Sequence, residues 1–321
     1  MNWLISFIIT HTLSVRTHSS FRLTQLSGNP GAPFKLDYIM STTSTPKNSQ
    51  SSRKPKPLAL SPSRAGDYQQ CPLLYRLRAI DRLPEPKTLA QVKGTLVHAV
   101  LEDMHKLPAH ERTYPAAVKM LKPNWDKMCS ADDELIDLVP DAETYDFLVE
   151  CRSLVKGYFQ MENPQGFDAE SVEMYVDTVL PNGVPVRGFI DRVDKAPTGE
   201  VRVVDYKTGK KPIPRFSHNA RFQMLFYALV YWRLRETIPH QLRLMYIKVI
   251  DDMVLAPSQE ELEFFERDLG ELWAKIERDG RSGHFRTKTS KLCGWCPHQK
   301  LCPEFGGTPP PYPGWPGSTA D

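Results

Sequence analysis

No stretch of this 321-residue chain is apolar over the roughly 20 residues that a membrane helix needs. The nearest approach, Trp3–Ile9, is short, and no lysine or arginine precedes it as a secretory signal would require. A cytoplasmic protein without a membrane partner is therefore expected. Cysteine is scarce: six thiols rule out the dense disulfide framework of a small secreted domain. Charge of one sign is not in excess either, since 41 Lys and Arg against 38 Asp and Glu leave a formal net charge of +3. A polyanionic partner must then be argued from where charge sits, not from its sum. There is no internal repeat. There is also no G-x-x-x-x-G-K-[ST] phosphate loop, so ATP-driven motor chemistry is not expected of this chain.

What is present is a folded body between two segments without a core pattern. Residues 1–57 end in a Ser/Thr/Pro/Lys-rich stretch and are expected to be disordered, or, over 1–39, to precede a natural start at Met40. Residues 306–321 are Pro/Gly-rich and are expected to be a disordered tail. Within 58–305, Ser61-Pro62 starts a helix that carries Tyr68, Cys71, Leu74 and Tyr75. A second helix spans Gly94 to about Lys106, with Leu96, Val97, Val100, Leu101 and Met104 as its apolar stripe. Residues 111–165 are helical, broken at Pro115 and Pro140. The period then changes. Ser171–Leu180, Val184–Val193 and Glu200–Tyr206 are predicted strands, the last two joined at Pro197-Thr198-Gly199. A helix over Asn219–Arg235, a strand over Leu242–Val249 and a helix over 257–280 follow. The order predicts an α/β fold with a mixed central sheet flanked by helices.

The chemistry-bearing stretch is Gly188-Phe-Ile-Asp191, then Val203-Val-Asp205-Tyr206-Lys207. Strand alternation points Asp205 and Lys207 the same way, and the turn near Gly199 sets Asp191 roughly opposite Asp205. Two carboxylates and an ammonium so gathered suit phosphodiester hydrolysis. The acids can hold a hard cation such as Mg²⁺, and the lysine can place water or neutralise charge on the phosphate. A salt-bridged surface hairpin is the plainer alternative. Gln223 and Tyr227, four apart, share a flank of the later helix. His98 lies off the apolar stripe of its own helix, either solvated beside Glu102 or turned into a site. Glu173 is either a further acid or a solvent-facing strand residue.

In order, the G-x-x-x-H helix ending at His98, G-F-I-D at Asp191, D-Y-K at Asp205–Lys207 and Q-x-x-x-Y at Gln223–Tyr227 resemble the motifs of RecB-family PD-(D/E)XK nucleases over about Leu58 to Pro303. The resemblance implies a restriction-endonuclease-like core with a helical N-terminal insertion. It implies Asp191, Asp205, His98 and the Tyr206 carbonyl as ligands of Mg²⁺ or Mn²⁺, and Lys207 as the catalytic lysine. Gln223 and Tyr227 would line the site and contact DNA or support the lysine.

Cys293, Cys296 and Cys302 lie in one short loop, and clustered thiols in a long chain point to metal, with Cys71 as the candidate fourth ligand. Spacing leaves zinc and iron–sulfur both open. The arrangement resembles the iron–sulfur staple of AddB-type nucleases and some CRISPR-associated relatives, which implies a [4Fe–4S] cluster tying the first helix to the C-terminal end. Cys129 and Cys151 read as ordinary buried thiols. Lys210, Lys211, Arg215 and Arg221 follow Lys207 and suit phosphate contacts, and Phe216, Phe222 and Tyr227 are candidates for base stacking, although Phe222 is more simply a core residue. The function expected is a metal-dependent DNA exonuclease of repair or recombination, acting on single strands or duplex ends, with any helicase a separate partner. The alternatives are an endonuclease or CRISPR-adaptation-like nuclease, and a non-catalytic DNA-binding iron–sulfur module, against which the intact Asp191, Asp205 and Lys207 weigh.

Overall fold

Helix starts follow their caps. In the computed structural model, which describes residues 58–213 and 218–316, Ser61 caps α1 (Pro62–Gln70) by accepting from the Arg64 amide. Thr88 and Gln91 form a capping box that begins α3 (Leu89–His105) five residues before Gly94. The first helix is not continuous. Cys71 is extended (φ −162°), and α2 (Pro72–Tyr75) starts after it and runs into a π-type turn to Ile80. The helical segment resolves into α4 (Tyr114–Ala131), α5 (Glu134–Leu138) and α6 (Asp141–Met161). Pro115 sits in the first turn of α4, where it breaks nothing.

Strands β1 (Ala169–Val179), β2 (Pro185–Lys195), β3 (Val201–Lys207), β4 (Gln241–Tyr246) and β5 (Asp251–Leu255) form one sheet in sequence order. All neighbours are antiparallel except β3 and β4, which are parallel. A parallel pair needs a crossover, and α7 (His218–Arg235) supplies it. The strand expected to reach Val249 ends at Tyr246, because residues 247–250 turn, with Ile250 at φ 54°, into β5. The last long helix, α8 (Gln259–Ser282), closes at Gly283 in the left-handed region (φ 70°).

Two cores cover the two faces. Side chains of α1, α7 and α8 pack one face around Ile190, Val203, Phe226, Leu244 and Leu269. Those of α3, α4 and α6 pack the other around Val100, Trp125, Val155, Val204 and Met245. The mixed sheet flanked by helices is the α/β architecture that a restriction-endonuclease-like core requires.

Residues 1–57 and 317–321, with Arg215 and Phe216, lie outside the described residues. The tail expectation is corrected for residues 306–316. Tyr312 and Trp315 pack on the first core, and the Tyr312 hydroxyl donates to the Gly280 carbonyl at 2.7 Å. Gly280 is needed there, since a Cβ would stand 2.0 Å from the Trp315 ring. Among the described residues no helix is long and apolar enough to cross a membrane.

Candidate active site

The site forms where the β1–β2 hairpin bends. Pairing of β2 with β3 begins only at Arg192↔Val204. One step earlier the Asp191 carboxylate, not a backbone carbonyl, accepts from the Tyr206 amide at 2.7 Å. Side-chain parity reverses at the same point. Ile190 enters the α1/α7/α8 core, while Arg192 reaches Tyr158, Tyr206 and His105 on the opposite side. On β1 the bend falls at Glu173, opposite Asp191 in the register and at φ 46°, a conformation rare for a glutamate.

From α3, His98 faces the bend. Its Nε2 donates to the Tyr206 carbonyl at 2.9 Å, and its Nδ1 lies 3.5 Å from Asp191 Oδ2. The glycine that opens the G-x-x-x-H pattern has a local cause: a Cβ at Gly94 would stand 3.2 Å from Thr208 Oγ1, so the helix comes close to the end of β3. Ligand atoms of His98, Glu173 and Asp191 all lie within 4.8 Å of one another. They are half-buried, and their donor set of one imidazole and two carboxylates fits a divalent cation.

Asp205 adjoins this group but is engaged differently. Its side chain is buried, Lys207 Nζ lies 2.7 Å from Oδ2, and Gln223 Nε2 donates to Oδ1 at 2.6 Å. Lys207 Nζ donates in turn to Gln223 Oε1 at 2.7 Å. Gln223 thus clamps both ends of the D-x-K motif, and Tyr227, one turn on, lies within 3.3 Å through its hydroxyl.

The electrostatics register the crowding of acids. Burial pushes the Asp205 carboxyl up, and the charge of Asp191 adds to it against the opposing pull of Lys207. Burial and the Asp191 charge raise Glu173 to about 7. His98 is raised to about 9: burial works against the charged ring, but the Asp191 hydrogen bond and the charges of Asp191 and Asp205 outweigh it. The charge of Asp191 thus raises both neighbouring acids, a crowding that a bound cation would relieve.

Of the residues expected from sequence, His98, Asp191, Asp205, Tyr206, Lys207, Gln223 and Tyr227 come together at this bend. Glu173 joins them, and nothing in its sequence context marks the left-handed backbone that aims it there. The basic run does not form one free patch: Lys211 pairs with Asp251, and Arg221 with Glu261. Phe222 is partly buried against Phe265, and Tyr227 is buried in the core, so the Tyr227 ring is not open for stacking.

Cys71, Cys293, Cys296 and Cys302 line one cavity. The α1–α2 joint supplies the first and the C-terminal loop the others. Two links stitch the segments together there: Leu73 N–H donates to the Arg286 carbonyl at 3.1 Å, and Lys288 Nζ to the Gln69 carbonyl at 2.7 Å. Burial pushes the Cys296 thiol up, and the nearby Cys71 and Cys293 add to the rise. Cys151 is fully buried, and Cys129 is partly so.

Among solved structures, a provisionally assigned exonuclease from Eubacterium rectale aligns with a TM-score of 0.52 at 11% identity, over 76% of this chain and 89% of that one. At such identity the likeness speaks for the fold alone. The structure of SSO0001 covers 67% of this chain and 97% of its own at 15% identity, with a TM-score of 0.33 that carries no argument. No curated protein matches the chain. The family model of the PD-(D/E)XK nuclease superfamily matches residues 59–303, the span that holds both the bent hairpin with its acids and the cysteine cavity, and the chain belongs to that superfamily.

Proposed function

We propose that this nuclease is a Mg²⁺- or Mn²⁺-dependent DNA exonuclease of repair or recombination, acting on single strands or duplex ends. The observation that carries the reading is the meeting of His98, Glu173 and Asp191 within 4.8 Å, beside an Asp205–Lys207 pair clamped by Gln223. His98, Glu173, Asp191 and Asp205, with the Tyr206 carbonyl, would hold the cation. When bound, the cation polarises a phosphate and makes a water acidic enough to attack it. Lys207 is the catalytic lysine: its ammonium, fixed by Asp205 and Gln223, offsets charge that gathers on the phosphate oxygens. Gln223 positions that lysine and donates to Asp205, and the Tyr227 hydroxyl accepts from the same Gln223 amide. Any ATP-driven unwinding would have to come from outside these residues, which carry no phosphate loop.

A [4Fe–4S] cluster on Cys71, Cys293, Cys296 and Cys302 belongs to the same proposal. Four thiols line a common cavity, and the Ser290 amide donates to Cys293 Sγ at 3.3 Å, a contact that suits a sulfur bearing negative charge. Zinc, which also takes four thiolates, is the alternative occupant.

The test uses the full chain purified without oxygen, with end-labelled linear and circular DNA, single- and double-stranded, in Mg²⁺, Mn²⁺ or chelator. Degradation of linear DNA that needs metal and is lost in Lys207→Ala and Asp205→Ala is expected. Unchanged activity in those folded variants overturns the site, and cutting of circles makes the enzyme an endonuclease. Iron and acid-labile sulfide in equal amounts, lost in Cys296→Ser, are expected for the cluster; stoichiometric zinc would replace it.

A further inference from the structure

Beyond the bend, the β1–β2 hairpin carries two rings that the nuclease chemistry does not use. Tyr175 on β1 pairs in register with Phe189 on β2, two residues along each strand from Glu173 and Asp191. At about 3.4 Å per residue, that is a step of roughly 7 Å from the acids, comparable to one extended nucleotide. The ring centroids are 5.0 Å apart. Their neighbours Met174, Val176 and Ile190 turn inward to the first core. The rings therefore face outward, 46% and 52% exposed.

A cross-strand aromatic pair stabilises a hairpin, and that is the ordinary reason to find one. Two features go beyond it. About half of each residue is left to water beside a group of acids able to hold a cation. The pair is also held in place: the Tyr175 hydroxyl donates to Asp177 Oδ2 at 2.8 Å, and Arg187 pairs with Asp177 at 3.1 Å. A flat apolar surface fixed one step from a phosphate-cutting centre matches what an unpaired base offers. Every base has a π-face, so stacking holds a strand without reading its sequence. A base inside a duplex keeps both faces covered by its neighbours and cannot use such a ledge.

We propose that Tyr175 and Phe189 form a stacking ledge for a base of the single strand next to the phosphate being cut, and so set a preference for unpaired DNA. This rests on the nuclease reading of the neighbouring acids and names the strand form they receive.

The test measures binding apart from cutting. A fluorescein-labelled oligothymidylate, a wholly abasic strand of the same length and a blunt duplex are titrated with the full chain in Ca²⁺, a cation that commonly supports binding without cleavage. The same is done for Tyr175→Ala/Phe189→Ala and for Tyr175→Phe/Phe189→Tyr, each checked for thermal unfolding. One to three kcal/mol per stacked base corresponds to a loss of about 5- to 150-fold for the alanine pair on oligothymidylate. Little change is expected on the abasic strand, and near wild-type binding in the ring-keeping pair. In Mg²⁺ the ratio of single-strand to duplex cutting should fall in step.

Equal losses on the thymidylate and abasic strands would overturn the ledge and leave the rings a structural pair. So would wild-type binding by the folded alanine variant, which would leave the face to a protein partner. If the wild type cuts DNA but the alanine variant keeps its strand preference, the ledge fails and the nuclease stands. If the wild type neither binds nor cuts DNA, both fail.

Discussion

Replacing Arg192 by methionine should cost the protein about 3 kcal/mol and disturb the active site from below. Arg192 is fully buried beneath the bend, where it contacts two carboxylates, Glu162 and Asp194, and the hydroxyls of Tyr158 and Tyr206. Breaking one member out of a buried ion pair typically costs 3–5 kcal/mol, because a buried charge is left uncompensated. Two other arginines moderate the loss. Arg243 reaches Glu162 at 3.0 Å and Arg202 reaches Asp194 at 2.8 Å, both from less buried positions, so the lower end of that range is expected. Against a typical total of 5–15 kcal/mol this is a large share. Urea unfolding followed by tryptophan fluorescence measures it. Arg192→Met/Glu162→Gln, which removes one orphaned charge as well, should recover part of the loss. A loss below about 1 kcal/mol, or no recovery in the double variant, refutes the argument. Since Arg192 also fixes the Tyr206 side chain at 2.8 Å, and the Tyr206 backbone holds Asp191 and His98, Mn²⁺ affinity in the folded variant should fall too.

His105 is buried next to Arg192, and burial with that charge lowers its pKa to about 3. A folded value below the unfolded 6.5 means its contribution is full above pH 6.5 and is lost as pH falls. The loss reaches about 2 kcal/mol by pH 5, so wild-type stability relative to His105→Gln should drop by that amount between pH 7 and 5; a constant difference would show that His105 does not carry it. Gly280→Ala would set a Cβ 2.0 Å from the Trp315 ring and should expel residues 306–316, with a loss of about 1–3 kcal/mol and new protease cleavage in the tail. An unchanged melting point and digest would show that the tail is not held there. Glu173→Gln should weaken Mn²⁺ binding about tenfold or more by calorimetry, while Glu102→Gln on the same side should not; wild-type affinity in Glu173→Gln would remove it from the ligand set.

Much of the site was legible because it depends on periodicities. A turn at 197–199 places Asp191 opposite Asp205, and the observed pairing Arg192↔Val204 is the adjacent rung. Gln223 and Tyr227 meet because helix residues four apart share a flank. What was not legible depends on single backbone angles or on distant partners. For Glu173 the sequence leaves a further acid and a solvent-facing residue both open, because what decides between them is a φ of 46° that a glutamate in a strand does not signal. Strand β5 was missed because Ile247–Ile250, apolar enough to read as strand, is a turn. The tail read as disordered because its Pro and Gly content hides two anchoring rings, Tyr312 and Trp315. The clue lay on α8, whose Gly280 and Gly283 leave room for them.

The gap between β2 and β3 opens a pocket without orphaning the backbone, and this gives Asp191 a structural part, as a plug, beside its proposed part as ligand. Past Arg192 the ladder stops, so the Tyr206 amide loses its partner strand and would be buried unpaired. Asp191 Oδ2 takes that proton at 2.7 Å, and the Tyr206 carbonyl turns to His98 instead. The two roles separate by substitution. Asp191→Asn keeps an oxygen for the amide but loses the charge, so folding stability should stay within about 1 kcal/mol while metal binding and cleavage collapse. Asp191→Ala loses both, and the orphaned amide should add a penalty of about 1–3 kcal/mol. Matched urea midpoints for the two variants would mean that the amide finds water in the gap, and that the carboxylate serves the cation alone.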